Sequence, residues 1–231
     1  MQVSLLDGER GQFTAAQLEA ALPPRDDHFA PPSLVCVENT HNRGGGSVWP
    51  LEQIESVTST AREHGLALHL DGARLWNASA ESGVSEAEYA GHFDTVSVCF
   101  SKGLGAPVGS ALAGSADMIA RARFYRKQQG GAMRQVGILA AAAAHALEHN
   151  RDRLADDHAN CRALANGLAK LPGLDIDAES AETNLLFIGT VQAPNVIYHR
   201  NALKNVTEFK TQSYEYYRTF PYLPAQWWLD E

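Results

Sequence analysis

Two short segments of this 231-residue chain carry residue types that can do covalent chemistry together. Leu70-Asp71-Gly72-Ala73-Arg74 sets a carboxylate just after the apolar, β-prone residues 66–70; Ser101-Lys102-Gly103-Leu104-Gly105-Ala106-Pro107 sets an amine just after residues 95–100. A lysine amine forms a Schiff base with an aldehyde, and a carboxylate holds a heterocyclic ring nitrogen protonated. Together they supply two groups that pyridoxal phosphate chemistry requires. In open α/β sheets ligands collect beyond the carboxyl ends of parallel strands, so both side chains are expected to project into one crevice. Blander readings stand beside these: Asp-Gly at a strand end also caps a turn, and a lysine in a tight turn is commonly just solvated.

The elements that must position these groups follow from periodicity and punctuation. Thr14, with Gln17 three residues on, predicts a capped helix over residues 14–22, stopped by Pro23-Pro24. Residues 33–38 read as a strand running into the Asn39-Thr40-His41-Asn42-Arg43-Gly44-Gly45-Gly46 loop. Pro50 opens a helix to about His64 with Ile54, Val57 and Ala61 as its apolar stripe. Strands over 66–70, 95–100 and 109–113 follow, with an irregular section through His92. Helices over 117–128, 135–149 and 152–171 are expected to cover the sheet and lead out of it, and residues 184–189 to form a further strand. This is an α/β pattern: a mainly parallel sheet with flanking helices. His69 is expected to point into the core.

Composition bounds the function class. With 45% hydrophobic and 20% charged residues the chain can bury a substantial core. The formal charge of −8 and the lack of a Lys/Arg run argue against nucleic acid as a partner. The most apolar stretch, residues 138–147, is too short to span a bilayer, so no membrane partner is expected. The first ten residues lack the charged region and long apolar core of a secretory signal. Cys36, Cys99 and Cys161 are odd in number and far apart; the first two fall in strand-like runs where cysteine is usually a small buried hydrophobe, which favours a reducing, cytoplasmic setting. No metal is expected. The Asn77-Ala78-Ser79 and Asn205-Val206-Thr207 triplets read as chance matches to a glycosylation pattern.

Four segments in series, Glu38-Asn39-Thr40-His41-Asn42, His69-Leu70-Asp71-Gly72-Ala73-Arg74, Ser101 through Gly109, and Gly130-Gly131-Ala132-Met133-Arg134-Gln135, resemble the motifs of the PLP-dependent threonine aldolases, within the β-eliminating lyase/threonine aldolase group of fold type I. The likeness runs from about Gly11 to Gly189. It implies an incomplete large domain of the PLP-dependent transferase-like fold, pyridoxal 5'-phosphate as cofactor, and retro-aldol cleavage of L-threonine or L-allo-threonine to glycine and acetaldehyde. By the resemblance, Lys102 is the aldimine lysine, Asp71 pairs with the pyridinium nitrogen, and Arg74 lies near the cofactor's phenolic oxygen. His28 would stand near the substrate hydroxyl, and Lys127 and Arg134 near the cofactor or a subunit contact; each has a solvated alternative. His41 either lines the crevice or satisfies a loop backbone. A small β-hydroxy amino acid is the implied substrate, and a homodimer or homotetramer the implied assembly.

The resemblance also implies parts this chain lacks: a phosphate loop and ring-stacking residue upstream, and a downstream arginine for the substrate carboxylate, a role that neither Arg200 nor Arg218 can be assigned. The expected organisation is a partial PLP-binding domain over residues 1–175, the start of a small domain over 176–190, and a divergent tail over 191–231. Nine of the nineteen aromatic residues fall in that tail. The tail reads as an altered C-terminus, the alternative being an irregular segment docked on the core. Two other functions stay open: a truncated, non-catalytic isoform that associates with full-length subunits, and a β-eliminating lyase acting on aromatic amino acids.

Overall fold

A computed structural model describes residues 3–24 and 26–190; the tail, with Arg200, Arg218 and the second Asn triplet, lies outside the described residues. The first helix, α1 (Ala15–Ala21), begins where its capping residues predict. The Gln17 amide donates to Thr14 Oγ1 at 3.2 Å and the Thr14 amide to Gln17 Oε1 at 2.7 Å, so two otherwise orphaned N–H groups are satisfied reciprocally. Helix α2 (Leu51–Glu63) follows Pro50 at its N-cap and buries Ile54, Val57, Thr58 and Ala61, one stripe at helical spacing.

Four strands form one sheet in the order β1-β2-β3-β4, where β1 is Leu34–Glu38, β2 Ala67–Gly72, β3 Thr95–Cys99 and β4 Ser110–Gly114. The first three are parallel and β4 returns antiparallel to β3. Strand alternation divides the side chains. Val35, Val37, Leu68, Leu70 and Val96 join Phe13, Leu18, Trp49, Ile54, Val57, Leu75 and Tyr89 in the main core. Each such burial contributes roughly 1.5–3 kcal/mol against the unfolded chain. Asp94 ties this layer together: its Oδ2 accepts from the Leu68 amide at 2.7 Å and from Arg62 of α2 at 2.8 Å.

The opposite face carries Leu34, Cys36, Glu38, His69, Asp71, Thr95, Ser97 and Leu112 and is open to half-buried. Two expectations are corrected there. His69 lies on this face with Nδ1 at 2.8 Å from Thr95 Oγ1, and Cys36 is exposed, because the alternation that buries Leu68, Leu70, Val35 and Val37 turns both outward.

Residues 73–92 are not irregular. Helix α3 (Leu75–Ser82) ends on Gly83 in the left-handed conformation (φ 74°), and α4 (Glu86–Ala90) is capped by Ser85, whose side chain accepts from the Glu88 amide. Helices α5 (Ala116–Gln128), α6 (Gly137–His149) and α7 (Leu154–Leu168) lie where expected, but they cover the sheet less than expected. Among the described residues α5 buries none, α6 buries Ala143 and Ala146, and α7 buries Leu154, His158 and Ala165. Phe124, Tyr125, Met133, Val136 and Ile138 are exposed, Ile138 by 80%.

Residues up to Lys170 and Ile176–Ile188 pack as one compact unit. Residues 184–188 are irregular rather than a strand; Thr183 donates from Oγ1 to the Gly46 carbonyl at 2.9 Å, which fixes this segment to the glycine loop. In a second unit, β5 (Leu174–Asp175) pairs antiparallel with β6 (Gly189–Thr190). No helix among the described residues is long and apolar enough to cross a membrane.

Candidate active site

Asp71 stands at the carboxyl end of β2, between Glu38 of β1 and Ser97 of β3 in the parallel register. Its backbone carbonyl accepts from the Asn39 amide at 2.9 Å, which extends the ladder one residue beyond β1. Its Oδ1 accepts from the Ala73 amide at 3.0 Å. The turn-capping role and the chemical role are therefore compatible: one carboxylate oxygen is fixed by the turn, and the half-buried side chain sits on the open face. Beside it Asn39 and Thr40 are buried. Asn39 Oδ1 accepts from the Trp49 amide at 3.2 Å, while Asn39 Nδ2 and Thr40 Oγ1 have no partner among the described residues.

Lys102 lies just past the end of β3, the strand next to β2, so amine and carboxylate come from the carboxyl ends of adjacent parallel strands. Lys102 is exposed, in a closed turn. The Gly105 amide donates to the Lys102 carbonyl at 2.8 Å, the Ala106 amide to Phe100 at 3.0 Å and the Phe100 amide to Gly109 at 2.9 Å. The turn is held from beneath by contacts the sequence did not point to. Leu104 is buried with Ala106, Ala146 and Leu154, and Asn150 donates from Nδ2 to the Leu104 carbonyl at 2.8 Å. Trp76 of α3 donates from Nε1 to the Cys99 carbonyl at 3.2 Å. Gly105 takes a positive φ of 75°. Gly103 is needed for a different reason: a Cβ there would lie 2.8 Å from Leu154 Cδ2 and 3.2 Å from Asn77 Oδ1. One glycine of the turn is therefore explained by close packing beneath it and the other by its φ.

Arg74 is the N-cap residue of α3, and its carbonyl accepts from the Asn77 and Ala78 amides. His41 satisfies its own loop, with Nδ1 accepting from the Gly44 amide at 3.0 Å and Nε2 at 3.6 Å from Glu38 Oε2. That loop is strapped down by Arg10, which donates to the carbonyls of Gly44 and Ser180 and pairs with Glu182. His28 is on an exposed turn, its side chain 88% exposed and paired with Asp26. That pairing holds the Asp26 carboxyl below its ordinary value, through the His28 amide first and the imidazole second. Lys127, in the last turn of α5, and Arg134, between α5 and α6, are both exposed. Asn77 is buried and cannot accept a glycan in the folded chain. Among the described residues no group of three or more His, Cys, Asp or Glu is arranged to hold a metal.

The sequence matches the beta-eliminating lyase family over residues 1–190, a family dependent on pyridoxal phosphate. It is 45% identical over 178 residues to the low specificity L-threonine aldolase of Escherichia coli K12, covering 77% of this chain and 52% of that protein. It is 43% identical over 182 residues to low-specificity L-threonine aldolase 1 of Arabidopsis thaliana, covering 78% and 51%. The fold superposes on the threonine aldolase of Leishmania major with a TM-score of 0.67 at 27% identity, covering 78% of this chain and 53% of that one. The chain spans about half the length of the curated relatives it matches. The mainly parallel sheet, the two strand-end groups at Asp71 and Lys102, and the match across residues 1–190 together establish that the chain belongs to the beta-eliminating lyase family.

Proposed function

We propose that this chain is the cofactor-bearing part of a threonine aldolase-type lyase, binding pyridoxal 5'-phosphate at Lys102 and Asp71. Its substrate in that reading is L-threonine or L-allo-threonine, cleaved to glycine and acetaldehyde. The observation that carries the reading is the placement of Lys102 and Asp71 at the carboxyl ends of adjacent parallel strands, with the lysine turn clamped from below. The donor set fits this cofactor: an amine for the aldehyde, a carboxylate for the ring nitrogen, and, at the neighbouring strand end, buried Asn39 Nδ2 and Thr40 Oγ1, which have no partner among the described residues.

Bound there, the cofactor supplies the electron sink that lets the Cα–Cβ bond of a β-hydroxy amino acid break. Lys102 holds the cofactor's aldehyde carbon. Asp71 keeps the proton on the ring nitrogen, since an opposite charge nearby favours the protonated ring. The Ala73 amide keeps that carboxylate from rotating away. Arg74 stands three residues on, at the start of α3, as the cation for the phenolic oxygen; Lys127 and Arg134 are the cations assigned to the phosphate. His28 is the imidazole assigned to the substrate hydroxyl, and His41 the one assigned to the crevice.

The assembly in this reading is a homodimer or homotetramer, for which the exposed Phe124, Tyr125, Met133, Val136 and Ile138 offer an apolar surface. The same surface favours the second reading, a chain that associates with full-length subunits without catalysing. Three free cysteines fit the cytoplasm. The test is acetaldehyde release from L-threonine by the PLP-loaded chain, with Lys102→Ala as control. Release by the parent alone supports the lyase, cofactor bound without release supports the associating subunit, and failure to bind cofactor contradicts the proposed site.

A further inference from the structure

Behind the lysine turn lies a buried polar chain that the reading above does not use. His158 of α7 is 1% exposed and sits between two residues of α3: its Nδ1 is 3.0 Å from Glu81 Oε2, and its Nε2 is 3.0 Å from Asn77 Nδ2. Glu81 is itself held by Arg162 Nη1, at 3.1 Å and 3.2 Å from its two oxygens, and Arg162 also donates to the Glu182 carbonyl at 3.0 Å. The charged groups of this chain are thus Glu81 from α3 and Arg162 from α7.

The donor and acceptor roles follow in one direction. A carboxylate only accepts, so Nδ1 of His158 carries the proton toward Glu81. Nε2 faces the Asn77 NH2 group, which only donates, so Nε2 accepts from Asn77 Nδ2. With its NH2 group committed to His158, Asn77 lies with Leu154 directly under Gly103, the residue after Lys102: a Cβ added there would stand 2.8 Å from Leu154 Cδ2, 3.2 Å from Asn77 Oδ1 and 3.5 Å from Asn77 Nδ2. A buried group in such a chain is costly to leave unpaired, so the amide orientation is fixed from two residues away.

We propose that His158 is a positioning residue for Lys102: through Glu81 and Asn77 it fixes the surface on which Gly103 rests, and so sets the lysine turn. The proposal rests on Lys102 being the cofactor lysine, but its first readout does not. Hydrogen exchange of the Gly105 and Ala106 amides, which close the turn, is measured in the cofactor-free chain. His158→Leu removes both hydrogen bonds, whereas His158→Gln restores one donor and one acceptor.

In His158→Leu these two amides exchange about tenfold faster relative to the Leu68 and Leu70 amides, and in His158→Gln the ratio returns to within about twofold of the parent. Should His158→Leu fail to fold, Glu81→Gln at its half-exposed position tests the same chain, because a glutamine amide no longer dictates which histidine nitrogen bears the proton; a smaller selective rise is expected. Unchanged exchange at the turn, or an equal rise at the core strands, overturns the proposal. Borohydride-trapped phosphopyridoxyl on Lys102 is the second readout, expected to fall in parallel with the loosened turn. No adduct on Lys102 in the parent contradicts the functional reading while leaving the exchange comparison intact.

Discussion

Asp71 Oδ1 accepts the Ala73 amide at 3.0 Å, so the carboxylate assigned to the cofactor ring is also the cap of the turn that starts α3. An asparagine can accept the same amide through its own oxygen while losing the charge. Asp71→Asn therefore keeps the fold and weakens the ring contact. The hydrogen bond to a charged group contributes about 1.5–3 kcal/mol, so PLP affinity should fall roughly ten- to hundredfold in an absorbance titration with an unchanged melting temperature. Loss of folding without a change in intrinsic affinity would make Asp71 a cap and nothing more.

The same charge reaches Cys36 across the open face. Desolvation first, and the Asp71 carboxylate second, push that thiol above its ordinary 9.0. Asp71→Asn removes the second cause, lowers the thiol's value and raises its thiolate fraction. Alkylation of Cys36 by iodoacetamide at pH 8.5 should accelerate about two- to threefold, with Cys161 as internal reference. An unchanged ratio would mean the two groups do not sense each other.

Gly103→Ala tests the packing beneath the lysine turn. The added methyl meets Leu154 Cδ2 at 2.8 Å and Asn77 Oδ1 at 3.2 Å, both in a tightly packed place. Overpacking of this kind costs about 1–3 kcal/mol. Denaturant unfolding should show that loss, together with weaker borohydride trapping at Lys102. Gly83→Ala, which meets open space, carries only the strain of its left-handed φ and should leave trapping unchanged.

Much of this was legible in the sequence because local signals agreed with the tertiary outcome. The Thr14–Gln17 capping box, the stripe Ile54, Val57, Ala61, and the β-prone run over residues 66–70 each follow from short-range chemistry, and each element is observed. Helices α3 and α4 are missed by periodicity, although Gly83 and the Ser85–Glu88 pair mark a stop and a start, because both helices are short. His69 and Cys36 differ from expectation because β1 and β2 are covered on one face only, the face that buries Val35, Val37, Leu68 and Leu70 in one core with Leu18 of α1 and Ile54 and Val57 of α2. Asp71 and Lys102 were visible as residue types at strand ends. The support beneath the lysine turn, Asn77 of α3, Asn150 at the end of α6, and Leu154 and His158 of α7, has no sequence-local signature.

Acid stability should depend on Asp94. The Arg62 guanidinium, and then the Leu68 amide, hold its carboxyl below the ordinary 3.8 against the opposing effect of burial. A depressed folded value means the carboxylate contributes stability that is fully present above 3.8 and fades as pH falls through the folded value. Asp94→Asn should therefore cost about 1 kcal/mol at neutral pH, in keeping with a half-exposed pair, and the difference from the parent should narrow below pH 3.8. A difference that stays constant from pH 7 to pH 3 would contradict this role.

The central claim is that Lys102 is the cofactor lysine, and the most direct test is chemical. The chain is incubated with pyridoxal phosphate, reduced with borohydride and digested, and the phosphopyridoxyl group is located by mass spectrometry. One dominant adduct is expected, on Lys102, strongly reduced in Asp71→Ala. An unmodified Lys102, or label spread evenly over the exposed lysines, would contradict it.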